Sequence, residues 1–232
     1  GVGIALHGSE LEIAHLPGGR QEAMEQMRFE RIPFLPEQYE NGRVNDLNQF
    51  AGRVAQVFDR IGLPRQNVTL ALPSSVTVLR TIMVPKMKKH KLRDVIQFQI
   101  GKEIHLPFAN PVFDFDFLPA SQNTSSEAEY SGLGNEKQAS RNISENEVPV
   151  LLVAVPGEVV NGLMDAFEQA NVELSTVEVK GLSIFRALKA IGRKPSGNLA
   201  ILEFGVDRIE AHFYQRGTLV FTRTLELVPE RY

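Results

Sequence analysis

Residues 2–34 read VGIALHGSELEIAHLPGGRQEAMEQMRFERIPF, and residues 198–227 read NLAILEFGVDRIEAHFYQRGTLVFTRTLEL. In each stretch a short apolar strand ends at a glycine, Gly8 or Gly205. A polar turn follows, and an alternating strand returns. A second glycine turn, at Gly18-Gly19 or at Gly217, then opens a third strand. Apolar–polar alternation across a glycine-bearing turn is the hairpin signature. Met at the head of the chain and again near its tail, it predicts a fold of two pseudo-equivalent halves, the second barely begun when the chain stops at Tyr232.

Between the two copies the order is α/β. Asn45 to Ile61 reads as a helix, with Leu47, Phe50, Val54, Val57, Phe58 and Ile61 on one face. Asn45 or Asp46 caps it, and Gly62 with Pro64 stops it. NVTLALP (67–73) is a buried strand, and 74–86 continues extended. Lys88 to Ile104 reads as a second helix, with Leu92, Val95, Ile96, Gln99 and Ile100 inward. VFDFDFLP (112–119) alternates strictly and sets Phe113, Phe115 and Phe117 towards a core. VPVLLVAVP (148–156) is a strand. Pro156 to Ala170 is a helix with Val159, Leu163, Met164 and Phe167 inward, Val172 to Val179 a strand and Leu182 to Ile191 a helix. A mixed sheet with helices packed on it follows, with a ligand cleft expected where the connecting loops converge. Residues 120–147 are rich in Ser, Asn, Glu and Gly. With little apolar area to offset ordering, they read as a mobile loop within a domain.

Composition narrows the chemistry. The 232 residues are 43% hydrophobic and 23% charged, ordinary for a globular chain, and the net charge of -3 provides no cationic field for nucleic acid. Cysteine is absent, which excludes disulfide scaffolds, thiolate zinc sites and cysteine nucleophiles. The five histidines (His7, His15, His90, His105, His212) show no metal-ligand spacing. No apolar run reaches the ~20 residues of a membrane span, so a cytosolic location is expected. Lys86, Lys88, Lys89, His90 and Lys91 crowd a helix start, where positive charge opposes the helix dipole; a solvated cluster accounts for them. His105 reads as structural.

The blocks VGIALHGSELEIAHL, LALPSSVTVLRTIMVP, KEIHLPFANPVFDFDFL, VLLVAVPGEVVNGLMDAFEQANVELSTVEVKGLSIFRAL and ILEFGVDRIEAHFYQRGTLVFTRTLEL resemble, in order, those of PilM. PilM is the cytoplasmic actin-like protein of type IV pilus assembly and is related to the cell-division protein FtsA. The resemblance covers nearly all of the chain outside 120–147. It implies an actin-like (ribonuclease H-like) mixed sheet flanked by helices. Residues 1–79 and 156–232 would form the actin-like subdomain with the start of a second lobe, and 80–155 a small inserted α+β subdomain. A related reading is the cytoplasmic domain of a GspL-like protein of type II secretion. The family's second half continues beyond the point matching Tyr232, so a truncated form is expected rather than proteolytic loss or a naturally shortened relative.

Actin-like ATPases hold phosphates on two glycine hairpins, with an acid at each strand end acting through Mg²⁺. Gly8, Ser9, Glu203 and Gly205 are the matching nucleotide-side residues here. The family's first strand reads G-x-D-x-G-S, and its acid position falls on Ala5 or Leu6, neither of which holds a metal. Glu203 is one carbon longer than the usual Asp. Metal-assisted phosphoryl transfer therefore lacks half its acid pair. The resemblance thus implies no catalytic residue and no metal ligand, and ATP with Mg²⁺ would need a completed second lobe. An enzyme of the superfamily, an ATPase or phosphotransferase, is the competing class.

The family instead implies a scaffold. PilM-like proteins bind the N-terminal tail of the inner-membrane protein PilN between the first and inserted subdomains, so the expected location is peripheral to the inner membrane. Ile96, Ile100, Ile104, Pro107 and Phe108 are the candidate groove residues, and equally good core residues. A pilus-assembly ATPase complex and self-association are further expected partners; nucleic acid is not.

Overall fold

The computed structural model describes residues 1–19, 26–40, 42–118, 146–193, 197–205 and 208–227. In chain order its elements are β1 (Val2–His7), β2 (Glu10–His15), β3 (Arg28–Pro33), β4 (Tyr39–Glu40), β5 (Arg43–Val44), α1 (Leu47–Ile61), β6 (Val68–Leu72), β7 (Val78–Pro85), α2 (Lys89–Gln99) and β8 (Pro111–Phe117). They continue with β9 (Glu147–Pro156), α3 (Gly157–Gln169), β10 (Leu174–Val179), α4 (Lys180–Ala190), β11 (Asn198–Phe204), β12 (Arg208–Gln215) and β13 (Thr218–Glu226). The loop expected over 120–147 falls mostly on residues 119–145, outside the described residues.

The first sheet runs β10-β6-β1-β2-β3. β1, β2 and β3 form the antiparallel meander that the opening sequence predicts, while β6 and β10 lie parallel to β1. Inward residues alternate as a half-buried strand requires: Val2, Ile4 and Leu6 on β1 are all buried, with Gly3 exposed between them. Against this face pack α1 and α3, joining Ile4, Leu6, Leu11, Ile13 and Leu70 to Phe50, Val54, Phe58, Leu163 and Phe167 in one core. Phe50 stacks on Phe34 at 4.6 Å and meets Phe167 edge-on at 6.1 Å. Asp46 accepts from the Gln49 N–H at 2.9 Å, and Gly62 closes α1 at φ 65°.

A second, smaller sheet runs β7-β9-β8, all antiparallel, with its own core of Val84, Leu92, Ile96, Phe113, Phe115 and Leu152. The alternating strand behaves as read at Phe113 and Phe115, which are buried, whereas Phe117 at its end is half exposed. Asp114 and Asp116 point out and meet Arg93 and Lys89 of α2 at 3.0 and 3.1 Å. The helix expected to reach Ile104 ends at Gln99, because Gly101 adopts φ 85° and Ile100 bridges to Ile104 in extended form. Met164, expected inward on α3, is 48% exposed; Val160 takes the inward place.

The third sheet is the second copy of the opening pattern, β11-β12-β13. α4 packs on one face of it through Phe185, which stacks on Tyr214 at 4.9 Å. Leu219 and Phe221, two residues apart on β13, lie on opposite faces. The register steps from Phe213↔Phe221 to Tyr214↔Leu219, so Val220 is an extra residue, and this β-bulge turns Leu219 into the core and Phe221 out. The outer face carries Leu202, Phe204, Phe213, Phe221 and Leu225, all at least 36% exposed.

Candidate functional site

The three parallel strands end side by side, and each delivers a polar residue at its carboxyl end: His7 closes β1, Ser74 follows β6 and Lys180 follows β10 as the first residue of α4. The carboxyl edge of parallel strands is where open α/β sheets place their functional groups. The third sheet comes up against this edge and contributes Glu203 of β11, Glu210 and His212 of β12 and Thr222 of β13.

The contacts close into a ring. Lys180 Nζ donates to Glu210 Oε1 at 2.9 Å and lies 3.2 Å from Glu203 Oε2. Glu203 Oε1 lies 2.7 Å from His212 Nε2; a carboxylate only accepts, so Nε2 carries the proton. His212 Nδ1 is 2.9 Å from the Thr222 hydroxyl, which is 2.5 Å from the Ser74 hydroxyl. The Ser74 backbone N–H returns to Glu210 Oε2 at 3.0 Å. His7 Nδ1 sits beside the ring, 2.6 Å from Lys180 Nζ and 3.3 Å from Glu210 Oε1.

Burial sharpens the electrostatics. Lys180, Glu210 and His212 are all buried. Burial by itself would push the Glu210 carboxyl up. His7, the Lys180 charge and the Ser74 N–H together outweigh it and hold that carboxyl well below the ordinary glutamate range. Tyr214, whose hydroxyl donates to the Gly181 carbonyl at 2.6 Å, has its phenol pushed up, first by burial and then by Glu203.

Two glycines let the parts meet. A Cβ on Gly205 would run into the His7 imidazole, so the two hairpins do face each other, and Gly205 gives the room. A Cβ on Gly181 would stand 2.8 Å from His212 Nδ1 and 2.9 Å from Leu219, so α4 approaches the sheet only because that side chain is missing.

Of the nucleotide-side residues read from the sequence, Glu203 lies in the ring and Gly205 lies under His7. Gly8 is buried at φ 61° and Ser9 is exposed. The Gly205 N–H donates to the Arg208 carbonyl at 2.8 Å, which closes the β11–β12 turn and leaves that amide committed. A cleft of about 430 Å³ opens here, lined by His7, Glu10, Glu12, Arg31, Glu203, Phe204 and Gly205. Among the described lining residues the guanidinium is that of Arg31, held by Glu12 at 3.0 Å. The carboxylates of Glu10, Glu12 and Glu203 give this wall an acidic lining, with Glu12 paired to Arg31 and Glu203 to Lys180. Among the described residues Glu203, Glu210 and His212 are a set that could hold a metal ion, but the Lys180 ammonium already bonds the two carboxylates. This donor set does not fit Mg²⁺-bound ATP.

The candidate groove residues sit elsewhere. Ile96 and Ile104 are buried in the core of the second sheet, Ile100 and Phe108 pack against it partly covered, and Pro107 is exposed. Sequence reasoning did not single out His7, Ser74, Lys180, Glu210, His212 or Thr222. A signal was present in RIEAHFY (208–214), where Arg208, Glu210, His212 and Tyr214 share a face.

No family model and no curated protein matches the sequence. Solved structures do. The PilM–PilN type IV pilus biogenesis complex superposes with a TM-score of 0.71 at 19% identity, over 97% of this chain and 61% of that one. The cytoplasmic domain of EpsL, an inner-membrane component of the type II secretion system of Vibrio cholerae, gives 0.55 at 11% identity, over 97% of this chain and 70% of that one. The chain thus spans about 61% of the length of the PilM-complex chain it matches. No described helix is long and apolar enough to cross a membrane. The chain has the actin-like α/β fold of these structures, a mixed sheet flanked by helices with a small inserted α+β unit.

Proposed function

We propose that this chain is a scaffold component of type IV pilus assembly that captures the N-terminal tail of a PilN-like inner-membrane protein and does not turn over nucleotide. The observation that carries the reading is the likeness to the PilM–PilN complex over 97% of the chain, inserted sheet included. The cleft supports the second half of it, since its carboxylates hold an ammonium and its Gly205 amide is committed to a turn. In this reading the protein sits at the inner membrane through its partner. Peptide contact in the groove falls to Pro107 and the uncovered parts of Ile100 and Phe108, because Ile96 and Ile104 are enclosed.

Titration of a synthetic PilN-like N-terminal peptide by calorimetry tests the scaffold reading. Saturable binding that a Pro107→Ala, Phe108→Ser variant weakens is the expected result. Absence of binding to that peptide overturns it. The EpsL likeness keeps a type II secretion role as a second reading. Preference for a secretion-system partner's cytoplasmic tail over the PilN-like one would favour it.

A further inference from the structure

Two carboxylates brought together in a protein interior repel unless a cation stands between them. Here the ligand atoms of Glu203, Glu210 and His212 all lie within 4.8 Å of one another. Such oxygen and nitrogen donors suit a divalent ion held at roughly 2.0–2.6 Å. What stands at this convergence is the Lys180 ammonium, 2.9 Å from Glu210, 3.2 Å from Glu203 and 2.6 Å from His7 Nδ1, on a side chain only 4% exposed.

We propose that Lys180 is a tethered cation, filling with its own ammonium the place a divalent metal ion would take and pinning the third sheet to the carboxyl edge of the first. The geometry favours this over a surface ion pair. The stem reaches the site from the first residue of α4, directly after β10, so the charge arrives on a packed element. Its partners come from β1, β11 and β12, so one ammonium links both sheets. The remaining negative charge is met by the His212 and Ser74 donors of the ring. An ammonium on a lysine stem does not exchange, so the two sheets stay joined without added metal and in the presence of a chelator. The inference rests on the reading of the cleft as one that does not process nucleotide; it does not depend on peptide capture.

The probe is Mn²⁺ alone, followed by its electron paramagnetic resonance signal and by thermal denaturation of the full chain. The wild type should bind Mn²⁺ weakly, and its midpoint should be the same in Mn²⁺ and in chelator. Lys180→Ala vacates the position and should bind Mn²⁺ about tenfold tighter or more, with a midpoint that rises with metal. Lys180→Ala combined with Glu210→Gln should lose that gain. If Lys180→Ala does not fold in chelator, its refolding yield reads the same point, and recovery should require Mn²⁺. Equal Mn²⁺ affinity in wild type and Lys180→Ala overturns the proposal. So do a folded Lys180→Ala that ignores the metal, equal refolding with and without Mn²⁺, and full binding by the double variant. A failed peptide titration counts against the scaffold reading and leaves these results standing.

Discussion

Replacing Glu210 by Gln tests the electrostatics of the ring. The Glu210 side chain is 1% exposed and carries bonds from Lys180 and the Ser74 N–H. The amide keeps the shape and one acceptor oxygen, but it removes the charge beside a buried ammonium. Breaking one side of a buried pair costs ~3–5 kcal/mol, so Glu210→Gln should lose about 3 kcal/mol and Glu210→Ala, which forfeits the Ser74 bond as well, about 5. Either is a fifth or more of the ~5–15 kcal/mol by which domains are stable. Lys180→Met removes the other side and should cost a similar amount. Lys180→Met with Glu210→Gln should cost less than the two singles added, because the second change no longer strands a charge.

The pH dependence has a definite sign. The folded Glu210 carboxyl is held below its ordinary value of 4.5. Its contribution is therefore complete above that value and declines as pH falls from there towards the folded pKa, by up to ~1.4 kcal/mol per pH unit. The other carboxylates act on wild type and variant alike and largely cancel in the difference. Urea denaturation followed by circular dichroism at pH 7, and then at steps down to pH 3, should show a gap that is widest at neutral pH and narrows below about pH 4.5. A gap under about 1 kcal/mol at pH 7, or one that stays constant through the acid range, would refute the claim that Glu210 is ionised within the fold.

Gly205→Ala should cost ~1–3 kcal/mol by overpacking, since the new methyl meets the His7 ring and the Arg208 carbonyl; the same change in a His7→Ala background should cost measurably less. Asp46→Ala should cost ~1 kcal/mol through loss of the α1 cap, read as a shift of denaturation midpoint at unchanged m-value. Phe213→Ser with Phe221→Ser removes an outer-face pair with ring centroids 5.7 Å apart; it should cost no more than about 1 kcal/mol while lowering dye binding and light scattering.

Much of the fold was legible because its signals are local. The α1 stripe from Leu47 to Ile61, its Asp46 cap and its Gly62 stop are read within a single helix, and the structure returns them within two residues. The hairpin copies announce themselves by glycine and alternation, and they appear as β1–β2 and β11–β12. The errors came where one backbone angle decides the outcome. Gly101 at φ 85° ends α2 five residues before the apolar spacing does, and the bulge at Val220 reverses the faces of Leu219 and Phe221. Neither is visible in periodicity, because periodicity assumes an unbroken element.

The ring escaped for a different reason, and it concerns which side of a strand counts as inside. Alternation is ordinarily read with apolar residues inward. In β12 the inward residues include Arg208, Glu210 and His212, while Ile209 and Phe213 lie nearer the solvent. The hydrophobic pattern therefore gives the right strand with its faces exchanged. The His7, Ser74 and Lys180 that complete the polar face stand 7, 74 and 180 residues into the chain, and only the parallel order β10-β6-β1 makes them neighbours. The acid of the family's first strand is absent from β1, and a cation comes from α4 instead. With Lys180 already supplying a cation to Glu203 and Glu210, β1 needs no acid to hold a metal there. It offers His7, whose Nδ1 bonds that ammonium. Ala5 and Leu6 are thus one departure from the family's acid pattern at this edge; the other is a lysine that arrives from α4.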